Sequence, residues 1–279
     1  MTEDQNVRKV REEGLDKFYT NPDYAKKCID KVFEIYPKNR FNLIIEPSAG
    51  NGSFFNHLDK DKRIGLDILP ENENVIEMDF FEFTPMKDKV LVIGNPPFGK
   101  VSSLAVKFFN HSAKWADVIA FIIPRTFRKP SIQNKLKNTF HLVHDEDVPM
   151  KPCCFAPNMT AKCCFQIWEK KNITREKTLL IKTHDDWEFI PYGPKDDRGQ
   201  PTVPKGADFA MRAYGGKIGE IKLILDDLRP KSWHFIKSKI NKQELINRFN
   251  KLDYSGSLNT ARQNSMGRGE LVMLYNNSK

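Results

Sequence analysis

No stretch of this 279-residue chain is apolar for long enough to cross a bilayer, and no basic start followed by an apolar core marks a secretory signal. The expectation is a soluble, intracellular protein of the cytoplasm or nucleus, with no membrane partner. Cysteine is scarce: five residues, four of them in the adjacent pairs Cys153-Cys154 and Cys163-Cys164, and no Cys-x-x-Cys spacing. Adjacent residues of a strand point to opposite faces, so these pairs lack the bite of a zinc site, and no metal is expected. An odd number of thiols in strand-like surroundings favours a reducing compartment over a disulfide framework. The Gly-Lys-Ser/Thr signature of a phosphate cradle is absent, as is the three-glycine dinucleotide turn. Neither internal repeats nor long low-complexity tracts are evident.

What the chain does contain is an alternation of short apolar runs with amphipathic stretches. Leu43-Ile44-Ile45, Ile64-Gly65-Leu66, Val90-Leu91-Val92-Ile93 and Val118–Ile123 read as buried strands. Apolar residues one turn apart (Tyr24, Cys28, Ile29, Val32, Phe33; then Leu104, Ala105, Phe108, Phe109) predict helices. This is the pattern of an α/β fold with a doubly wound, mostly parallel sheet. The polar run Glu169-Lys170-Lys171-Asn172 then breaks it, which predicts a domain over 1–170 and a smaller region over 171–279. Charge divides unevenly across that boundary, because the last 109 residues carry +7 of the net +9. A basic segment of this kind suits a partner with phosphates.

The most specific motif is Asn95-Pro96-Pro97-Phe98, directly after the strand-like run ending in Gly94. Two prolines stiffen the loop and remove two N–H donors, so it presents acceptors. The Asn95 side-chain oxygen and the Pro96 carbonyl could each accept one hydrogen of an exocyclic NH2, and Phe98 offers a face for the base. That set fits an adenine N6 amine; a proline-rich turn with one packed aromatic is the plainer reading. Upstream, Glu46-Pro47-Ser48-Ala49-Gly50-Asn51-Gly52 follows the first strand and precedes a helix-like pattern (Phe54, Phe55, Leu58), so its glycines and the helix amides could approach a ligand. Asp67-Ile68 ends the next strand, where an acid can accept from ribose hydroxyls, or simply cap the turn. Asp79-Phe80-Phe81 follows, with an acid for an amino group and an aromatic for a ring, one of the two phenylalanines being a candidate for the core.

In this order and spacing the four motifs resemble the class I S-adenosylmethionine-dependent methyltransferases, and within them the enzymes that methylate amino groups of nucleic acids. The resemblance covers roughly residues 15 to 170 and implies a Rossmann-like fold with S-adenosylmethionine as cofactor. It implies that Glu46, Pro47, Ala49, Gly50, Asn51 and Gly52 hold the methionine moiety, Asp67 with Ile68 the ribose, Asp79 with Phe80 the adenine, and Asn95, Pro96, Pro97 and Phe98 the target amine. Asp16–Pro22 is similar to the segment that members with the gamma motif order place before the glycine loop, which makes Tyr19 and Thr20 cofactor contacts, although Asn21 interrupts the match. That order implies target recognition in the C-terminal region.

Beyond these motifs, Arg125 and Arg128 lie in a cationic loop after the strand ending at Pro124 and are candidate phosphate contacts, where a solvated loop is the plain alternative. The segment from Val148 to Trp168 reads as a loop, then a strand. By the resemblance its Phe155 would stack on the target base, with Phe165 as the other candidate, and Lys151 would meet the substrate. The expected reaction is methyl transfer to the N6 amine of adenine in DNA. Adenine in RNA is the main alternative, and a glutamine side-chain amide the lesser one. In the C-terminal region, Ala207–Gly219 combines aromatics, cations and glycines, as either a phosphate-approaching loop or a plain hairpin. Lys242–Phe249 predicts a helix, and Ser257–Gly269 is rich in amide, hydroxyl and arginine side chains of the kind that read bases and phosphates.

Overall fold

Alternate residues of each apolar run fall on opposite faces of one central sheet, which explains why the runs show no polar face. In the computed structural model, which describes residues 18–278, the first of two compact units ends at Lys177. Its elements in order are strand β1 (Tyr19–Thr20), helix α1 (Pro22–Ile35), strands β2 (Leu43–Glu46), β3 (Arg63–Asp67), β4 (Ile76–Glu77) and β5 (Val90–Gly94), and helix α2 (Ser103–Ser112). Strand β6 (Val118–Pro124), the short helix α3 (Pro130–Gln133) and strands β7 (Phe140–Asp147), β8 (Phe155–Ala156) and β9 (Cys163–Lys170) complete it.

Seven strands form the sheet in the order β4-β3-β2-β5-β6-β9-β7. Neighbours from β4 to β6 are parallel, and β9 runs antiparallel to both β6 and β7. On one face Ile44, Leu91, Ile93, Val118, Ala120 and Ile122 pack with Ala25, Cys28, Ile29 and Val32 of α1. On the other, Leu43, Ile45, Val90, Val92, Ile119, Phe121 and Ile123 pack with Ala105, Phe108 and Phe109 of α2. Both faces are therefore covered, as parallel sheets require, and each large side chain so buried contributes about 1.5–3 kcal/mol. The expected Rossmann-like, doubly wound and mostly parallel α/β sheet is what forms. Cys163 joins the first cluster and its neighbour Cys164 the second, so the adjacent thiols do face opposite ways.

Asn21 is the N-cap of α1: its side chain accepts from the Asp23 N–H, and Pro22 occupies the first turn. The residue that interrupts the N-terminal motif thus has a structural use. One expectation is corrected. No α-helix follows the glycine loop; residues 50–54 are turns and Phe55–His57 is a single 3-10 turn. A glycine-rich stretch in tight turns leaves too short a segment to propagate a helix.

The second unit begins at Thr178. Strands β10 (Trp187–Ile190), β11 (Phe209–Arg212), β12 (Ile221–Lys222) and β13 (Trp233–Ser238) form an antiparallel sheet in the order β10-β13-β11-β12. Helices α4 (Lys242–Asn250) and α5 (Arg268–Asn276) pack Leu245, Phe249, Leu271 and Tyr275 with Trp187, Phe209, Met211 and Ile236. Asn241 caps α4 by accepting from Glu244 N. No helix among the described residues is long and apolar enough to cross a membrane, and no three of their His, Cys, Asp or Glu side chains cluster as metal ligands.

Candidate active site

The carboxyl ends of β2, β3 and β5 lie side by side in the sheet, the position at which open α/β sheets bind ligands. Glu46 ends β2, Asp67 ends β3 and Asn95 follows β5, so the three polar side chains meet at one rim. They line a cleft with about 700 Å³ of free space, its mouth included. Tyr19, Thr20, Ala49, Gly50, Asn51, Ile68 and Pro97 share that lining. Ten of the residues given a cofactor or target role from the sequence are thereby brought to one cavity, with Phe18, Ser48, Ser53, Phe54 and Leu69 beside them. Ile68 and Leu69 are 58% and 51% exposed, an apolar lip on a polar-floored cleft.

Hydrogen bonds fix the floor. Buried Glu46 accepts from Phe55 N at 2.7 Å. Burial above all, together with repulsion from Asp67, holds its carboxyl well above the usual carboxylate range, while the Phe55 and Phe54 amides pull the other way. Asp67 accepts from Gly50 N at 2.8 Å and from Leu69 N at 2.9 Å, tying the glycine loop to the turn after β3. Each of its oxygens keeps capacity for a further donor. The Tyr19 ring lies over Gly50, which has φ +49°; a Cβ there would stand 2.9 Å from the ring, so glycine is required on both counts. Tyr19 donates its hydroxyl to Glu71. Thr20 is buried in the cleft wall, and its hydroxyl has no hydrogen-bond partner among the described residues.

Asn95 is oriented from the N-terminal side: its Nδ2 donates to the Phe18 carbonyl at 3.1 Å, so the oxygen is the group left to face a ligand. Phe98 is partly buried and packs against the core cluster that contains α1. Beyond it, Val101 and Ser102 hold φ of +53° and +60°, and Val101 is 73% exposed. A β-branched residue in the left-handed region is a genuine outlier that costs of order 1–3 kcal/mol and concentrates at functional loops. No sequence signal marks it, since neither residue is glycine or asparagine.

Several residues do not reach the cleft. Phe80 is 1% exposed and stacks on Phe108 with ring centroids 5.2 Å apart, so it is the core member of its pair. Asp79 caps the following 3-10 turn by accepting from Phe81 N. Phe155 is not a free stacking face: β8 pairs with β1, Thr20 opposite Phe155, and the ring is 6% exposed within the core. Phe165 is fully buried as well. The two candidate phosphate cations are engaged inside the unit. Arg128 makes a forked pair with Asp145 and reaches Asp147 at 2.6 Å, while Arg125 pairs with Asp147 at 2.9 Å. The reason is tertiary: β7 brings two carboxylates alongside the loop, and one of them, Asp145, also accepts from fully buried Gln166. Lys151 is exposed, and Pro47, Gly52, Pro96 and Phe98 lie outside the cleft lining.

No protein-family model matches the chain, and no curated protein matches it. Among solved structures, a protein from Pyrococcus horikoshii inferred to be an RNA methyltransferase is 18% identical, over 56% of this chain and 87% of that one, with a TM-score of 0.43. The 23S rRNA methyltransferase ErmE is 12% identical over 57% of this chain and 71% of its own, with a TM-score of 0.41. A dimethyladenosine transferase from Plasmodium falciparum is 18% identical over 56% and 64%, with a TM-score of 0.39. Likenesses of this degree leave the reaction to be read from the chain's own residues.

Proposed function

We propose that this protein is an S-adenosylmethionine-dependent methyltransferase acting on the N6 amine of adenine in DNA. The observation that carries the reading is the convergence of Asn95, its amide nitrogen tied to Phe18 and its oxygen available, on the cleft that Glu46 and Asp67 floor. The residues fit the cofactor. Thr20 Oγ1, a buried hydroxyl without a partner among the described residues, calls for a ligand atom, and the apolar lip of Ile68 and Leu69 suits a purine. Asp67 would take the ribose hydroxyls, and Glu46, Thr20 and the 48–51 turn the amino-acid end. The cofactor supplies a methyl group on a sulfonium sulfur.

The chain's own part is to hold the amine. An adenine amino nitrogen is a weak nucleophile because its lone pair is delocalised into the ring. Were Asn95 Oδ1 and the carbonyl of Pro96, which sits between the lining residues Asn95 and Pro97, to accept its two hydrogens, the nitrogen would be favoured in a pyramidal form with the lone pair localised, an interaction that strengthens towards the transition state. Asn95 has no ionisable group, so it orients and the proton leaves to water. In a duplex the base must first be flipped out, at a cost of a few kcal/mol. The basic second unit, residues 178–279, is the candidate for substrate recognition.

The test is incubation of the full chain with methyl-labelled S-adenosylmethionine and, in parallel, duplex DNA, single-stranded DNA and total RNA. Label in DNA is the expected result, and label confined to RNA would transfer the same chemistry to that polymer. No label in any pool, with cofactor binding measured by calorimetry, would overturn the reading.

A further inference from the structure

Two segments of the second unit, 45 or more residues apart in sequence, are joined edge to edge. Gly215 N donates to the Asn264 carbonyl at 2.9 Å, Met266 N to the Ala213 carbonyl at 2.9 Å, and Tyr214 forms a bridge with Ser265. The surface made by this junction holds an aromatic ring half open to solvent, Tyr214 at 50%. Beside it are two consecutive left-handed glycines, Gly215 at φ +63° and Gly216 at φ +56°. The Gln263 amide oxygen lies 3.9 Å from the Cβ position of Gly215, and the Arg212 side chain 3.3 Å from that of Gly216. Lys217 and Arg262, which belong to the same two segments, are exposed.

The local acids are already engaged. Glu220 pairs with Arg212 at 2.7 Å and with Lys222 at 3.2 Å, and Glu270 accepts from Gly267 N at the start of α5. What faces solvent is therefore a flat ring, an unhindered backbone turn, a primary amide and two cations. A flat ring stacks on any base, and cations beside it neutralise the phosphates on either side; this is the composition by which proteins bind single-stranded nucleic acid. A protein partner would be expected to bury apolar side chains, and the junction offers one aromatic among polar groups.

We propose that the Tyr214–Lys217 turn and the Arg262–Ser265 segment form one contact surface for a single-stranded stretch of nucleic acid. Tyr214 stacks on a base, and Lys217 and Arg262 meet its phosphates. This rests on the reading of the chain as a nucleic-acid methyltransferase and names where the strand is held.

The experiment is fluorescence anisotropy of the full chain with labelled single-stranded DNA and single-stranded RNA oligonucleotides, across a salt series, alongside methyl transfer to the same oligonucleotides. Tyr214→Ala should weaken single-strand binding by roughly 5- to 100-fold, and Tyr214→Phe should retain it. Lys217→Gln with Arg262→Gln should flatten the log-affinity against log-salt slope by about 0.7 per cation removed. S-adenosylmethionine affinity should not change in any of these variants. If the wild-type chain binds and methylates while Tyr214→Ala and the double variant bind as tightly with the same slope, the surface is wrong and the methyltransferase reading stands. If the wild-type chain does not bind the single strands, the surface is wrong, and the methyltransferase reading falls with it only if duplex DNA is not methylated either.

Discussion

Asp67→Ala separates two uses of one carboxylate. In the protein it accepts from Gly50 N at 2.8 Å and Leu69 N at 2.9 Å, and it faces the cleft. Deleting it leaves the part-buried Gly50 amide without its partner, which should cost about 1–3 kcal/mol of stability. If the remaining lone pairs also accept from ribose, a charge-assisted bond worth about 1.5–3 kcal/mol is lost from the cofactor complex, roughly 10- to 100-fold in Kd. The two effects are read separately, the first as a fall in the melting midpoint and the second by titration calorimetry with S-adenosylmethionine. Asp67→Asn keeps one acceptor oxygen without the charge and should fall between wild type and alanine on both scales. A folded Asp67→Ala protein that binds the cofactor within about twofold of wild type would show that the carboxylate only tethers the two turns.

Asn95→Ala should lower methyl transfer by at least roughly 10²- to 10³-fold, the range for removing one such group from a transition state. Cofactor Kd, measured on the same protein, should hardly move. Arg128→Ala strips Asp145 of its forked partner at a site about one-fifth exposed, so stability should fall by about 1–3 kcal/mol in urea titration. Nucleic-acid affinity should stay within about twofold, and an affinity loss without a stability loss would restore Arg128 as a phosphate contact. His234 donates from Nε2 to the Met266 carbonyl, and burial lowers its pKa from 6.5 to about 4. Between those values the unfolded chain holds a proton that the folded one does not. The contribution is thus complete above pH 6.5 and lost as pH falls towards 4, at roughly 1.4 kcal/mol per unit. The melting midpoint of the second unit should therefore drop from pH 7 to pH 5, and less so in His234→Gln.

The parallel strands were legible because each is a continuous apolar run closed by a polar or proline residue, and the sheet buries both faces of it. The helices over Pro22–Ile35 and Lys242–Asn250 were legible from their spacing. The cleft-lining residues after β2, β3 and β5 could be picked out because local chemistry marks them: glycines that turn, an acid at a strand end, prolines that stiffen. What could not be read depends on distant partners. Nothing near Arg128 indicates that Asp145 will cross to it from β7, and nothing near Phe155 indicates that β8 will pair with β1 and carry the ring into the core. The strain at Val101 has no compositional mark either. The junction of Tyr214 with Ser265 joins two segments that each looked like an isolated polar loop.

The central claim is that Asn95 and the cleft bring an amino group, and not a ring atom, to the methyl donor. Nucleoside mass spectrometry of labelled product, digested after reaction with the full chain, tests it most directly. The label should reside in N6-methyladenine. Label on a ring nitrogen or a ring carbon, with cofactor binding unimpaired, would contradict it.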